Sequence, residues 1–239
     1  MILLGIETAG SRCSAAVGGD KDGRVFAAES EPLRHGHVEV LMPMVDRVMA
    51  RAGLSPGQLD AVAVAVGPGG FTGIRVGLAA ARGIALALGA RLIGISGFAA
   101  VAHALTPRAE ASGGASWLLA ALDSRREDLY VQLFAYPSLH GDVEPAALPA
   151  AALAGYLDMA GASGPLLIAG DAASEAAAEL SERWQCNIAP NSAPDALGVL
   201  AAARAALKSG TVDAPVRPLY LRPPDVNLPR PGPANVVRA

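Results

Sequence analysis

Rings and thiols are the scarcest features of this chain. Aromatic residues supply 4% of its 239 positions, so the core must be built from Ala, Val, Leu and Ile rather than from rings. Only Cys13 and Cys186 are present, which excludes a disulfide framework. Charge is sparse too, and its formal balance is −3. A protein that grips nucleic acid unaided usually shows a basic surplus or a clustered basic face. Here only the stretch from Arg217 to Arg238 is locally basic, which argues against autonomous binding but leaves open a place in a complex that handles nucleic acid. No secretory signal is readable, because Met1-Ile2-Leu3-Leu4 has no basic region before it and runs into Glu7. The most apolar segment, Thr72–Leu88, is interrupted by Arg75 and Arg82 and reads as a poor membrane span. A cytoplasmic protein without a membrane partner is expected.

What is present is periodicity. Ile2–Thr8, Cys13–Gly18 and Arg24–Glu29 read as three short strands separated by turn residues. Val38, Leu41, Val45, Val48 and Ala52 recur at helical spacing within His37–Ala52. Met42, Met44 and Met49 widen that apolar face, and Pro43 is placed near the first turn, where proline is tolerated. Ser55-Pro56 opens a short helix. Asp60–Val66 is a buried strand, Arg91–Ser96 another, and Gly97–Leu105 a helix before a loose stretch, Thr106–Ser116. Trp117–Asp123 and Leu129–Tyr136 form a hairpin. Alanine-rich helices then flank a strand at Pro165–Gly170, with a further short strand at Cys186–Ala189. A last helix, Asp195–Lys208, ends at Gly210.

The resulting fold class is α/β in two lobes, each a mixed sheet flanked by helices. The expected divisions are residues 1–100, 101–194, a helix and strand over 195–222 packing back on the lobes, and a proline-rich tail at 223–239.

The stretch "VAVGPGGFTGIRVGLAAARGIALALG", Val64–Gly89, raises the functional question. Glycine inside a helix costs about 1 kcal/mol relative to alanine, so Gly73 and Gly77 need a reason. A P-loop requires a different spacing and a lysine where Ile74 stands. A dinucleotide fold requires an acid at the end of the next strand, which here ends in serine. Gly73, Gly77, Ala81 and Ala85 instead stack a face of almost no volume, suited to close approach of another helix. That helix is either His37–Ala52 or one from another subunit.

With these segments in place the sequence resembles the TsaB (YeaZ) family, whose members serve threonylcarbamoyladenosine formation in tRNA. The resemblance rests on Gly67-Pro68-Gly69-Gly70-Phe71-Thr72-Gly73-Ile74-Arg75-Val76-Gly77, supported by "ILLGIETAGSRCSAAV", "HVEVLMPMV", "LDSRREDLY" and "PLYLR". Glu7 stands where the family usually has aspartate, and Gly70 where it usually has serine. The resemblance implies an actin-like (ASKHA) fold and a non-catalytic scaffold role. It implies docking on a TsaD-type transferase and work with a TsaE-type ATPase; being apolar, the docking face should also self-associate into homodimers when the partner is absent. Contact with tRNA would come only through the complex, and ATP would be used by the complex. The docking face maps onto the two helices already singled out, through Leu41, Met42, Val45, Val48, Met49, Gly73, Gly77 and Ala81.

The catalytic relatives carry a metal-binding H-x-x-x-H, and here His37-Val38-Glu39-Val40-Leu41 replaces the second histidine with leucine. No catalytic residue or metal ligand is therefore expected, and His37 reads as a cap or surface residue. Glu7, Thr8, Ser11, Gly69 and Gly70 could supply weak nucleotide contact, although no lysine follows until Lys21. Asp123 with Arg125 reads as a hairpin salt bridge, and Cys13 as packing. The competing readings are an independent ATPase of the same fold and a metal-dependent glycopeptidase, the latter lacking any readable metal pair or nucleophile–base pair.

Overall fold

The computed structural model describes residues 1–21, 23–33, 35–105, 114–141, 143–190, 192–212 and 215–222. The proline-rich tail and most of the loose stretch after Leu105 lie outside the described residues. Strands β1 (Ile2–Glu7), β2 (Arg12–Gly19), β3 (Val25–Pro32), β4 (Ala61–Ala65) and β5 (Arg91–Ile95) build the first lobe with helices α1 (His37–Ala52) and α2 (Phe71–Leu88). Helix α3 (Gly97–Ala104) leads out of it. The second lobe holds β6 (Trp117–Asp123), β7 (Asp128–Ala135), β8 (Ala146–Pro149), β9 (Leu166–Ala169) and β10 (Cys186–Ile188). Its helices are α4 (Leu153–Met159) and α5 (Ala173–Leu180), while α6 (Ala196–Ser209) returns to pack on the first lobe's sheet.

The sheets run β3-β2-β1-β4-β5 and β8-β7-β6-β9-β10. In each, the first three strands form an antiparallel meander and the last two join in parallel. The second lobe thus repeats the first, strand for strand. β4 is buried at every position, as a strand covered on both faces should be. β3 extends three residues further than its sequence signal and carries Glu29 and Glu31 along an exposed edge.

Helix α1 presents Leu41, Met44, Val45, Val48 and Met49 to the core at intervals of three and four. Pro43 lies in its second turn rather than its first; it is solvent-exposed, so the carbonyl its ring leaves unpaired faces water. By length and composition α2 is apolar enough to cross a membrane. Its Gly73, Ile74, Gly77, Leu78, Ala81 and Ala85 are buried on the lobe's own sheet, as in a core helix.

Helices α3 and α6 form the layer between the lobes. Gly5 on β1 lies beneath α6, where a Cβ would come within 2.8 Å of the Ala196 carbonyl. Gly198 lies against α3, where a Cβ would be 2.4 Å from the Ala100 carbonyl. The α6 N-terminus is capped by Asp195, whose side chain accepts from Gly198 N, and is tied to β2 through Ser14 Oγ accepting from Ala196 N. A boundary at residue 100 therefore cuts through α3: Ala100 belongs to the first lobe's core, while Phe98 and Val101 pack on the second sheet. The strand expected before residue 222 does not form. Residues 215–222 run along α2 as an extended segment held by Leu219 N donating to Val66 O and Arg82 to Val216 O.

Candidate functional site

The glycine-rich loop and the β1–β2 turn are built into each other. A Cβ on Gly73 would sit 2.0 Å from the Thr8 carbonyl oxygen, and one on Gly69 would sit 2.2 Å from that of Ala9. A Cβ on Gly77 would come within 2.4 Å of Thr8 Oγ1. Thr8 Oγ1 donates to Gly73 O at 2.8 Å, and Gly70 N donates to Ala9 O at 2.8 Å. These glycines are needed because the start of α2 presses onto backbone at the end of β1. Their small face meets a strand end, not a second helix.

Glu7 closes this turn from below and is 1% exposed. Its Oε1 accepts from Ala9 N at 2.6 Å and Gly10 N at 2.9 Å, while Oε2 has no partner. Burial pushes the carboxyl up to about 8, against the pull of those two N–H groups, and the carboxylates of Asp171 and Asp195 add to the rise. At neutral pH this group is mostly protonated.

That arrangement tests the nucleotide contact suggested by the sequence. Glu7, Thr8, Gly69 and Gly70 do converge, while Ser11 is exposed on the turn. Yet the amide donors of Ala9 and Gly10 are committed to Glu7, and that of Gly70 to Ala9. Carbonyl oxygens fill the space beside Gly69 and Gly73. The amides of Ala9, Gly10 and Gly70 are therefore not open to a phosphate, and the cation beside them is Arg125, whose Nη1 would lie 3.5 Å from a Cβ on Gly70.

Seven of the eight residues assigned to docking are inside the protein. Leu41, Val45, Val48 and Met49 are core positions of α1, and Gly73, Gly77 and Ala81 are buried under α2. The helical period identified the stripe that the sheet buries; it does not identify what faces outward. Only Met42 is exposed, at 43%. The outward apolar residues on these helices are Val38 (64%), Met42, Phe71 (43%) and Leu86 (86%). Val38 and Met42 are one turn apart on α1. Phe71 is held in place, its ring stacked on Tyr220 at 5.4 Å and capped by the Arg75 guanidinium at 3.5 Å.

His37 is neither a surface residue nor a side-chain cap. It is 6% exposed, one ring nitrogen bonds the backbone of Arg12, and Nε2 has no partner. Burial, with the Arg125 charge nearby, lowers its pKa. One turn on, Leu41 occupies the core. Among the described residues no cluster of His, Cys, Asp or Glu could hold a metal ion.

Arg125 also departs from expectation. Asp123 Oδ1 accepts from the Arg125 backbone N–H at 2.6 Å, so the two do not pair through their charges. The guanidinium crosses between lobes and donates to Gly10 O at 2.7 Å. Asp171, which sequence reasoning missed, accepts from Asp123 N at 2.9 Å, and burial raises its pKa. Its one signal was position, directly after the glycine that ends a buried strand. Cys13 is buried in β2, its thiol pushed up to about 11 by burial, and is inert packing.

Two mixed sheets of matching order, with α3 and α6 between them, define the two-lobed actin-like (ASKHA) class. The structure superposes on YeaZ from Pseudomonas aeruginosa with a TM-score of 0.75, at 24% identity, covering 92% of this chain and 99% of that one. It also matches the activator of the 2-hydroxyisocaproyl-CoA dehydratase from Clostridium difficile, with bound ADPNP, at a TM-score of 0.54 and 10% identity, covering 88% and 96% of the two chains. The sequence profile of the TsaD family, tRNA N6-adenosine threonylcarbamoyltransferase, matches residues 31–187, and the chain belongs to this family. Within it, the chain is similar to the tRNA threonylcarbamoyladenosine biosynthesis protein TsaB of Escherichia coli, 35% identical over 130 residues, and of Haemophilus influenzae, 33% identical over 134. Each alignment covers 54% of this chain and 53% and 52% of those proteins, so the chain spans about half the length of the curated relatives it matches.

Proposed function

We propose that this chain is a non-catalytic scaffold subunit in threonylcarbamoyladenosine formation on tRNA, docking on and activating a TsaD-type transferase. The observation that carries the reading is the outer face of α1 and α2. Val38, Met42 and Phe71 are exposed beside one another's helices, while Leu41 stands in the core where the resemblance places a second metal-binding histidine. Apolar side chains held rigid on long helices suit a protein interface. The same face would support a homodimer when the transferase is absent. A TsaE-type ATPase completes the complex, ATP is used by the complex rather than by this chain, and tRNA is met only through it. The setting is cytoplasmic.

Reconstitution tests the reading. Purified transferase, TsaE-type ATPase, adenylate-forming enzyme and tRNA from one organism are assayed with and without this chain. Modification should require it, and the chain alone should not turn over ATP. Equal modification in its absence would remove the scaffold role; ATP turnover by the isolated chain would replace it with an ATPase of this fold.

A further inference from the structure

The β6–β7 turn holds a residue type that its backbone disfavours. Arg125 sits at φ 60, in the left-handed region that suits glycine. Glycine is plentiful in this chain, so an arginine kept there points to a task for its side chain. The guanidinium leaves the second lobe and donates to Gly10 O, on the β1–β2 turn of the first, at 2.7 Å. Its charge also bears on Asp171, just after β9, and Asp171 bears in turn on Glu7 at the end of β1. Arg125 is thus a cation set between an acid of each lobe. The other end of the turn is tied as well. Asp128, the first residue of β7, pairs with Arg222 at the end of the extended segment 215–222. Within that segment Leu219 and Leu221 pack on the second lobe's core, while Val216 packs on the first. Leu219 N donates to Val66 O at 2.8 Å, and Tyr220 stacks on Phe71 of α2. Two stretches that the sequence singled out, "LDSRREDLY" and "PLYLR", therefore meet across the lobes. The scaffold reading alone gives neither a task.

We propose that Arg125 and the Arg222–Asp128 pair form a latch that holds the two lobes at one angle in the free chain. Both ties are charge-assisted, the stronger kind of hydrogen bond. The hinge is the α3–α6 layer, where α3 gives Ala100 to one core and Phe98 and Val101 to the other. The latch lies where β1 and β6 stop, at Glu7 and Asp123. It also reaches the docking face. A partner seated on Phe71 and Tyr220 touches α2 and, at the same time, a segment fixed to the second lobe by Leu219, Leu221 and Arg222. Docking and lobe angle are then coupled, and by reciprocity an open latch weakens docking. That coupling rests on the docking reading above; the latch itself does not.

A distance measurement on the full chain tests the latch. Spin labels are attached at Gly57→Cys on the first lobe and Met159→Cys on the second, with Cys186→Ser to keep labelling specific. Both positions are exposed, and a Cβ at Gly57 meets nothing within 4 Å. Arg125→Gly is the decisive variant, because glycine suits the left-handed backbone and the hairpin folds while the tie is lost. Arg222→Gln removes the second tie without touching the hairpin. We expect one narrow distance distribution in wild type, a broader one in each variant and the broadest when both are combined. A combined variant as narrow as wild type would overturn the latch. Binding of the TsaD-type transferase is then measured by calorimetry. Arg125→Gly should weaken it about tenfold although Val38, Met42, Phe71 and Tyr220 are unchanged. Saturating transferase should narrow the variant's distribution again, which loss of a direct contact would not do. A distribution left broad in the bound variant would overturn the coupling. If wild type itself does not bind, it is the docking reading that fails, and the distances in the free chain still decide the latch.

Discussion

The two lobes share a strand order but not a helix length. Over the second sheet, α4 and α5 have 7 and 8 residues; over the first, α1 and α2 have 16 and 18. The second lobe shows how little helix a sheet of this kind needs for cover. The doubled helices of the first lobe therefore carry surface beyond that need, and Val38, Met42, Phe71 and Leu86 lie on it. Both lobes use the same device at the cleft. A glycine after the fourth strand of each unit lets the next segment press onto a carbonyl: Gly69 and Gly73 on Ala9 and Thr8, and Gly170 on Ala121 at 1.9 Å from its would-be Cβ. They differ in the acid that ends the first strand of each unit. Glu7 is buried and Asp123 is exposed.

The largest expected effect breaks the shared device. Gly73→Val and Gly170→Val should each cost about 3 kcal/mol or more through forced displacement of backbone, lowering Tm by roughly 6–12 °C. A calorimetric scan in which one of the two is neutral would show that the lobes are not held alike. Next comes the division between the inner and outer faces of α1. Val45→Glu buries a charge and should cost about 3 kcal/mol, whereas Met42→Glu should leave stability within about 0.5 kcal/mol. Denaturant titration of both variants checks this.

A pH-dependent effect belongs to Glu7, the buried acid that ends β1. The folded carboxyl of Glu7 titrates near 8 against an ordinary 4.5, so between those values the native state holds a proton that the unfolded chain has lost. Its contribution is full below 4.5 and declines as pH rises towards 8. Glu7→Gln should flatten that decline in urea titrations at pH 5, 6.5 and 8. Smallest is the edge pair on β3, where Arg47 and Arg51 both reach Glu29 from half-exposed positions. Arg47→Ala should cost no more than about 1 kcal/mol, and less in high salt.

The division of labour within α1 also marks what the sequence could show. Periods of two and of three to four located the strands of the first lobe, α1, α2 and the β6–β7 hairpin, because long apolar stripes are local signals. β8 was missed: Ala146–Pro149 has no β-branched or aromatic residue and forms only by pairing with β7. Seven of the eight residues assigned to docking are buried for a physical reason. A stripe at helical spacing reports burial, and Met44 and Met49, read as surplus, complete the core. Outward residues such as Val38 and Phe71 have no period to announce them. Arg125 reaching Gly10, 115 positions away, could not be read from spacing at all.

The central claim is that the outer face of α1 and α2 is the docking surface. Binding of the TsaD-type transferase to wild type, Val38→Glu and Met42→Glu, followed by sedimentation velocity, tests it most directly. The account predicts a complex with wild type and none with Met42→Glu or Val38→Glu at the same concentration, although both variants melt at the wild-type temperature. A complex of undiminished affinity with both folded variants would contradict it.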